Sequence, residues 1–317
     1  MLTTDRVHNL KRDNHLRLLG NSDWIDYELI DSGNLKKLER FGPYRFVRPE
    51  SQAMWKPRLP DNFWKADGEF FSVQNPEVQG RWRLSDCVPQ AWELHYKSLK
   101  FFARPTSFRH LGFFPEQAAH WEWCGDAIKN YRKIYKQTPR ILNLFAYSGI
   151  GSLHAAAAGA DVTHLDASKK AIRYAFENRD LSGMADAPIR FITDDAKSFV
   201  ERELRRGKTY DGIILDPPKY GRGPKGEIWK IDENLTQLLQ GCRELLSNKA
   251  LFVVLTIYAI RASSIAAHYA LSDVLKGLGG RIESGELTLK ESTMKRNSSN
   301  LEQRLISQAN FARWIAL

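Results

Sequence analysis

Beyond residue 140 the chain alternates between two textures. Short apolar runs stop at Gly, Asp or Pro, as buried strands do: “RILNLFA” (140–146), “DVTHLDA” (161–167), “PIRFITDDA” (188–196), “YDGIILDPP” (210–218) and “ALFVVLTIYA” (250–259). Between and after them, “SLHAAAAGA” (152–160), “SKKAIRYAFENRDLSG” (168–183), “KSFVERELRRGK” (197–208), “LTQLLQGCRELLS” (235–247) and “SIAAHYALSDVLKGLG” (264–279) read as helices. Ser168 is placed to cap the second of these and Gly183 to end it. Strand–helix alternation predicts an α/β fold, a parallel sheet covered on both faces. “RIESGELTL” (281–289) and “ARWIAL” (312–317) are expected to close it with an antiparallel end. In such sheets ligands bind beyond the carboxyl ends of the strands, where the strand order switches.

The first part of the chain has another rhythm. “YELIDSG”, “FGPYRFVRPE”, “AMWKPRLP”, “FFSVQNP”, “GRWRLSD” and “WELHYKSLKFFARP” are short, aromatic and broken by Pro and Gly. They predict strands joined by turns and a smaller β-rich N-terminal domain over residues 1–108, with 109–317 forming the α/β domain. Trp24, Trp55, Trp64, Trp82 and Trp92 lie among Arg and Lys residues there. They could stack on nucleic-acid bases, but a core role is the expectation for most of them. “PEQAAHWEWCGDAIKNYRKIYKQ” (115–137) reads as a helix with Pro115 in its first turn.

Composition adds limits. Of 317 residues, 43% are hydrophobic and 26% charged, ordinary for a soluble globular protein of about two domains. No apolar run approaches the ~18 residues of a membrane helix, and the polar opening “MLTTDRVHNLKRDNHLRLLG” lacks a signal peptide's apolar core. A cytoplasmic protein without membrane contact is expected. Cys87, Cys124 and Cys242 form no CxxC pair, so neither a metal site nor a disulfide scaffold is indicated. The net charge of +10 favours polyanionic partners, with Lys and Arg spread along the chain rather than gathered in a tail.

The strand ends carry the chemistry. The first expected α/β strand runs into Phe145, Tyr147, Ser148, Gly149 and Gly151; the second ends at Asp166; the third at Asp194 and Asp195; the fourth at Asp216, Pro217, Pro218, Lys219 and Tyr220. The glycines let backbone approach a ligand, yet the run fails as a dinucleotide GxGxxG because His154 stands where the third glycine belongs. Asp166 suits ribose hydroxyls or, equally, a helix N-terminus. Asp195 could cap the next helix or accept from an adenine amino group. Proline cannot continue a strand, so Pro217 and Pro218 fix a turn that presents the Asp216 carboxylate.

Together, “NLFAYSG”, “LDAS”, “DDA” and “LDPPKYGRG”, with “LGFFPEQ” upstream, resemble class I S-adenosylmethionine-dependent methyltransferases. The closer resemblance is to the large-subunit family that methylates cytosine C5 or guanine N7 in 23S rRNA. It covers about two thirds of the chain and implies a Rossmann-like methyltransferase sheet, S-adenosylmethionine as cofactor and RNA, rRNA favoured, as partner. By position it implies that Phe145, Tyr147, Ser148 and Gly149 line the cofactor pocket. Asp166 would hold the ribose, Asp195 the adenine amino group and Gln117 the methionine end. Asp216, Pro217, Pro218, Lys219 and Tyr220 would face the methyl group and target base. No metal is implied.

Two departures matter. The family's cytosine enzymes carry a nucleophilic cysteine just after the fifth strand, where this chain reads “VVLTIYAIRAS”. The arginine that usually follows the upstream glutamine is Ala118 here. Transfer to a nitrogen is therefore expected: a ring nitrogen needs no base, and an exocyclic amino group could give its hydrogen bond to Asp216. Lys219 is a candidate for a phosphate or base edge. The basic, glycine-rich “YGRGPKGEIWK” is expected to be a mobile loop, closing over the substrate or simply lying at the surface. Other readings are a methyltransferase acting on a protein or small molecule, and a cofactor-binding RNA-binding module without catalysis. A nicotinamide oxidoreductase is a weak fourth.

Overall fold

The structure, a computed structural model, describes residues 16–20, 24–72, 80–258, 260, 262–292 and 303–316. Most of the polar N-terminal stretch and the end of “FFSVQNP” lie outside these residues.

The chain opens with β1 (Arg17–Gly20), β2 (Tyr27–Gly33), β3 (Lys36–Phe41), β4 (Tyr44–Pro49), β5 (Gly68–Ser72), β6 (Gly80–Leu84), β7 (Trp92–Tyr96) and β8 (Leu99–Ala103). Strands β2 to β6 form a five-stranded sheet in sequence order, and β7 pairs with β8. Then follow α1 (Ala118–Tyr135), β9 (Arg140–Leu144), α2 (Ile150–Ala157), β10 (Asp161–Asp166), α3 (Lys169–Leu181), β11 (Ile189–Thr193), α4 (Ala196–Arg205) and β12 (Gly212–Leu215). The chain ends with β13 (Tyr220–Arg222), β14 (Ile228–Lys230), α5 (Ile231–Glu244), β15 (Phe252–Ile257), α6 (Ser264–Val274), β16 (Arg281–Lys290) and β17 (Leu305–Ile315).

The large sheet has the order β1-β16-β17-β15-β12-β9-β10-β11. Strands β9, β10, β11, β12 and β15 run parallel, and β17 is antiparallel to both neighbours. This is the α/β sheet with an antiparallel end that the residue pattern predicts, and the Rossmann-like sheet that the family resemblance implies. The order reverses between β9 and β12, which opens a crevice at their carboxyl ends. Ser168 caps α3 through a bond from the Ala171 N–H, and Gly183 follows that helix at φ 66°.

Some elements differ from expectation. “AMWKPRLP” is irregular, held by Asp31, which accepts from the Arg58 and Leu59 backbone N–H groups and from Trp64 Nε1. Strand β3, “KKLERF”, was hidden by its charges, two of which are buried: Glu39 takes a fork of two 2.6 Å bonds from Arg48, and Lys37 pairs with Glu50 at 3.1 Å. Strand β1 belongs to the stretch 1–108 yet pairs with β16 in the large sheet.

The β-rich part packs directly on the α/β part. One apolar cluster runs from Trp24, Phe41, Phe46 and Trp92 through Phe101 and Phe113 to Ile150, Leu153, Leu289 and Ile306. Trp24 and Trp92 are buried, the core role expected of them, and Trp55, Trp64 and Trp82 are partly buried.

Candidate active site

Strand register builds the site. Leu165, Leu144, Leu215 and Leu255 form one row across β10, β9, β12 and β15. The residues that follow the first three, Asp166, Phe145 and Asp216, therefore stand side by side at the ends of adjacent strands, next to Thr256 of β15. Asp166 is also in register with Thr193, which brings Asp194 and Asp195 to the same edge.

After β9 the backbone turns sharply. Phe145 and Tyr147 adopt φ of 57° and 47°, and Gly149, the residue before α2, adopts 84°. Left-handed conformations cost the two aromatic residues ~1–3 kcal/mol each, strain of the kind that collects at ligand sites. The turn is held by its neighbours. The Tyr147 N–H donates to Asp166 Oδ2 at 2.9 Å, and the Ser168 N–H donates to Oδ1 at 2.8 Å. Burial pushes the Asp166 carboxyl above its usual range, against those two bonds.

Three connected cavities meet at the strand ends. A cleft of about 320 Å³ runs past Phe145, Tyr147, Asp166, Asp195 and Trp229. A narrow space of about 60 Å³ lies at the glycine turn, among Gln117, His120, Asn143, Ser148 and Gly149. A cavity of about 450 Å³ opens on the other side, between Lys219, Tyr220 and the β-rich sheet. Asp216 lines all three. Its Oδ2 accepts from Gln117 Nε2 at 2.9 Å, while Oδ1 is buried without a hydrogen-bond partner. Burial first, and the Glu116 charge second, push Asp216 up to about 8.

The residues singled out from the sequence are mostly brought together. Gln117, Phe145, Tyr147, Ser148, Gly149, Asp166, Asp195 and Asp216 surround the first two cavities, and Pro218, Lys219 and Tyr220 reach the third. Pro217 is buried and lines none of the three. Asp195 does both things its position allowed: its Oδ1 caps α4 by accepting from the Ser198 N–H at 2.9 Å, and the residue lines the cleft. The backbone carbonyl of Ser148 is taken by Asn178 Nδ2, which ties the turn to α3. The stretch expected as a glycine-rich loop contains the hairpin β13–β14. Trp229 fastens the hairpin, with Nε1 donating to the Pro218 carbonyl at 2.7 Å and its ring 4.9 Å from that of Phe145. Gly221, Arg222 and Gly223 thus become a wall of the cleft.

Sequence reasoning missed His110, Phe114, Trp229 and Tyr258 in the cleft and Glu116 in the third cavity. Glu116 adjoins Gln117, Phe114 lies in the quoted “LGFFPEQ”, and Tyr258 directly follows β15, so position could have found these three. His110 and Trp229 are placed by tertiary packing and carried no local signal.

The cleft fits S-adenosylmethionine. Carboxylates stand at the far end for an adenosine, a glycine turn offers close backbone approach for an amino-acid end, and Asp216, one of its oxygens unpartnered, lines both spaces. Among the described residues no group of three or more His, Cys, Asp or Glu could hold a metal, and no helix is long and apolar enough to cross a membrane.

Comparison with known proteins agrees. Residues 120–256 match the family model described as conserved hypothetical protein 95. The crystal structure of a SAM-dependent methyltransferase from Agrobacterium tumefaciens is 46% identical, with a TM-score of 0.88 over 94% of this chain and 93% of that one. A candidate ribosomal RNA large subunit methyltransferase of Methanocaldococcus jannaschii, MJ1653, is 37% identical over 68% of this chain. The ribosomal RNA large subunit methyltransferase K/L of Shewanella frigidimarina is 31% identical over 47% of it. The matched part spans 54% of the first relative's length and 20% of the second's. With this fold, this cleft and a full-length relative of the same kind, the chain belongs to the S-adenosylmethionine-dependent methyltransferases.

Proposed function

We propose that the protein methylates a nitrogen of an RNA base, with ribosomal RNA in the cytoplasm as its substrate. The observation that carries this reading is the unpartnered Oδ1 of Asp216, buried where the cofactor cleft meets the cavity beyond it. Once ionised, a buried acceptor there is matched by an N–H at the point of transfer. The cofactor supplies an activated methyl group on a sulfonium, so the chain's own work is placement.

Each residue has a part. Asp166 accepts from the ribose hydroxyls, Asp195 from the adenine amino group, and the backbone at Ser148 and Gly149 with Gln117 receives the methionine end. Phe145 and Tyr147 shape the cleft. Pro218 holds the Asp216 turn through the Trp229 bond, Pro217 anchors it from the core, and Lys219 and Tyr220 stand at the entrance to receive RNA. Asp216 orients the target nitrogen and, where that nitrogen is an amino group, accepts its hydrogen bond.

Four facts support nitrogen and RNA. The Cys124 and Cys242 thiols are buried and pushed up to about 12, so neither supplies the thiolate that C5 chemistry requires. Cys87 is exposed, beside Ser85 and Asp67 in the β-rich part. The net charge of +10 suits a polyanion, and two relatives bear names for ribosomal RNA methylation.

The test is transfer of labelled methyl from S-adenosylmethionine into fractionated cell RNA, protein and small molecules. Label in ribosomal RNA, located on a base nitrogen after digestion to nucleosides, is the expected result. Label only in protein or small molecules, or on C5, overturns it.

A further inference from the structure

Two features of the narrow space of about 60 Å³ at the glycine turn point to an anion. The first is the start of α2. Gly149 stands before that helix without a side chain to cap it, and Gly149, Ile150 and Gly151 line the space. The first N–H groups of a helix have no acceptor within it and carry the positive end of its dipole, so they favour negative charge. The walls stand close: a Cβ added at Gly151 would lie 3.2 Å from Trp121 Cδ1 and 3.6 Å from Asn143 Nδ2. A small head group suits such a space.

The second feature is His120, which lines the space from α1. It is only 2% exposed, and among the described residues neither ring nitrogen has a hydrogen-bond partner. The Phe311 ring packs edge-on against it, 5.2 Å between centroids, and offers no acceptor. Burial first, and the Arg313 charge second, push His120 down to about 3, so the ring is neutral. A neutral imidazole carries one N–H and one bare nitrogen. A buried N–H without an acceptor is costly, so one that lines a cavity marks a place for an acceptor to enter. Neighbouring amides already have work: Asn143 Nδ2 donates to Ser152 Oγ and Gln117 Nε2 to Asp216 Oδ2, each at 2.9 Å.

The amino-acid end of S-adenosylmethionine brings a carboxylate beside an ammonium. The start of α2 attracts the first and repels the second. A neutral donor fits this pair, because it gives an N–H to the carboxylate without a positive charge to oppose the ammonium. Gln117 and His120 are three residues apart at the start of α1 and so share a face.

We propose that His120 is a cofactor-binding residue, whose ring N–H donates to the methionine carboxylate of S-adenosylmethionine at the start of α2. The proposal rests on the methionine end lying at the glycine turn, as in the function proposed above. It divides the labour at the start of α1: Gln117 holds Asp216, and His120 holds the cofactor's carboxylate.

The experiment is calorimetric titration of the whole chain with three ligands. These are S-adenosylmethionine, its decarboxylated form, which keeps the sulfonium and the amine, and methylthioadenosine, which lacks the amino-acid end. Wild type is expected to bind the decarboxylated form at least about tenfold more weakly than the cofactor. His120→Leu and His120→Met both remove the N–H and keep an apolar filling, and one folded variant suffices. Each is expected to lose at least about tenfold for the cofactor and to stay within about twofold of wild type for the decarboxylated form, so that the preference collapses. His120→Asn restores a side-chain N–H and is expected to recover part of the preference. An equal loss on both ligands, or a preference that survives removal of the N–H, overturns the role of His120 and leaves the methionine end at the turn. Wild type that binds all three ligands alike overturns that placement and the role of His120 with it. Failure to label RNA, with the carboxylate preference intact, removes the RNA substrate and leaves this role standing.

Discussion

Gln117 donates to Asp216 across 99 residues of sequence, at 2.9 Å, and so joins the turn before α1 to the end of β12. The bond fixes one carboxylate oxygen and leaves the other buried without a hydrogen-bond partner. Gln117→Leu removes a donor to the charged form, so the apparent acid limb of kcat/KM should move to higher pH. The rate at neutral pH should fall about tenfold, ~1.4 kcal/mol of transition-state stabilisation. An unmoved limb would mean that the bond only braces the turn.

On the role proposed for it, Asp216 sets that limb in wild type. Held at about 8 by burial and Glu116, it is mostly protonated at neutral pH and ionised above. With the ionised form accepting the substrate's N–H, kcat/KM rises as pH climbs through about 8. Asp216→Asn should flatten the profile and cut transfer at least ~100-fold while cofactor binding persists. A flat wild-type profile between about pH 6 and 9 would contradict this role.

The same carboxyl makes a stability statement. In the unfolded chain an aspartate titrates near ~3.9. In the fold the proton is held up to about 8, so this contribution is fully present below about pH 4 and is lost as pH rises toward 8. Asp216→Asn should therefore gain Tm relative to wild type when thermal melts are moved from about pH 5 to about pH 9. A constant difference across that range would show that the proton is not bound more tightly in the fold.

Gly149 carries a φ of 84°, and an added Cβ would lie 2.8 Å from the Ala175 Cβ. Gly149→Ala thus meets backbone strain of ~1–2 kcal/mol together with a clash against α3. Calorimetric titration should find cofactor affinity reduced at least about tenfold, with a lower Tm in the same preparation.

Trp229 ties the hairpin to the Asp-Pro-Pro turn. Trp229→Ala should cost ~3–5 kcal/mol of stability and weaken cofactor binding, because the cleft loses both the indole and the bond to the Pro218 carbonyl. Urea melts and equilibrium binding of labelled cofactor check the two effects separately.

The α/β part was legible because its signals are local. “RILNL” and “FVVLTI” are apolar runs closed by breakers, and Ser168 caps where a cap was expected. Their shared register then brought Phe145, Asp166 and Asp216 into one row without further information. What escaped depends on distant partners. Lys37 and Glu39 make β3 look like a surface segment, and only Arg48, Glu50 and Gln308 explain how they are buried. The hairpin's glycines say loop, and its order rests on Trp229 reaching Pro218. Pro217, expected at the substrate face because it stands beside Asp216, is buried and lines none of the three cavities.

The apolar cluster that runs from Trp24 to Ile306 makes the β-rich part inseparable from the methyltransferase sheet, as does the bond from Lys37 to Gln308. A recognition module on a tether can be exchanged among enzymes with little loss. Here an exchange would tear open a shared interior and remove one wall of the cavity beside Asp216. Change in such an architecture is free to come through single side chains at the seam and is closed to wholesale transplantation.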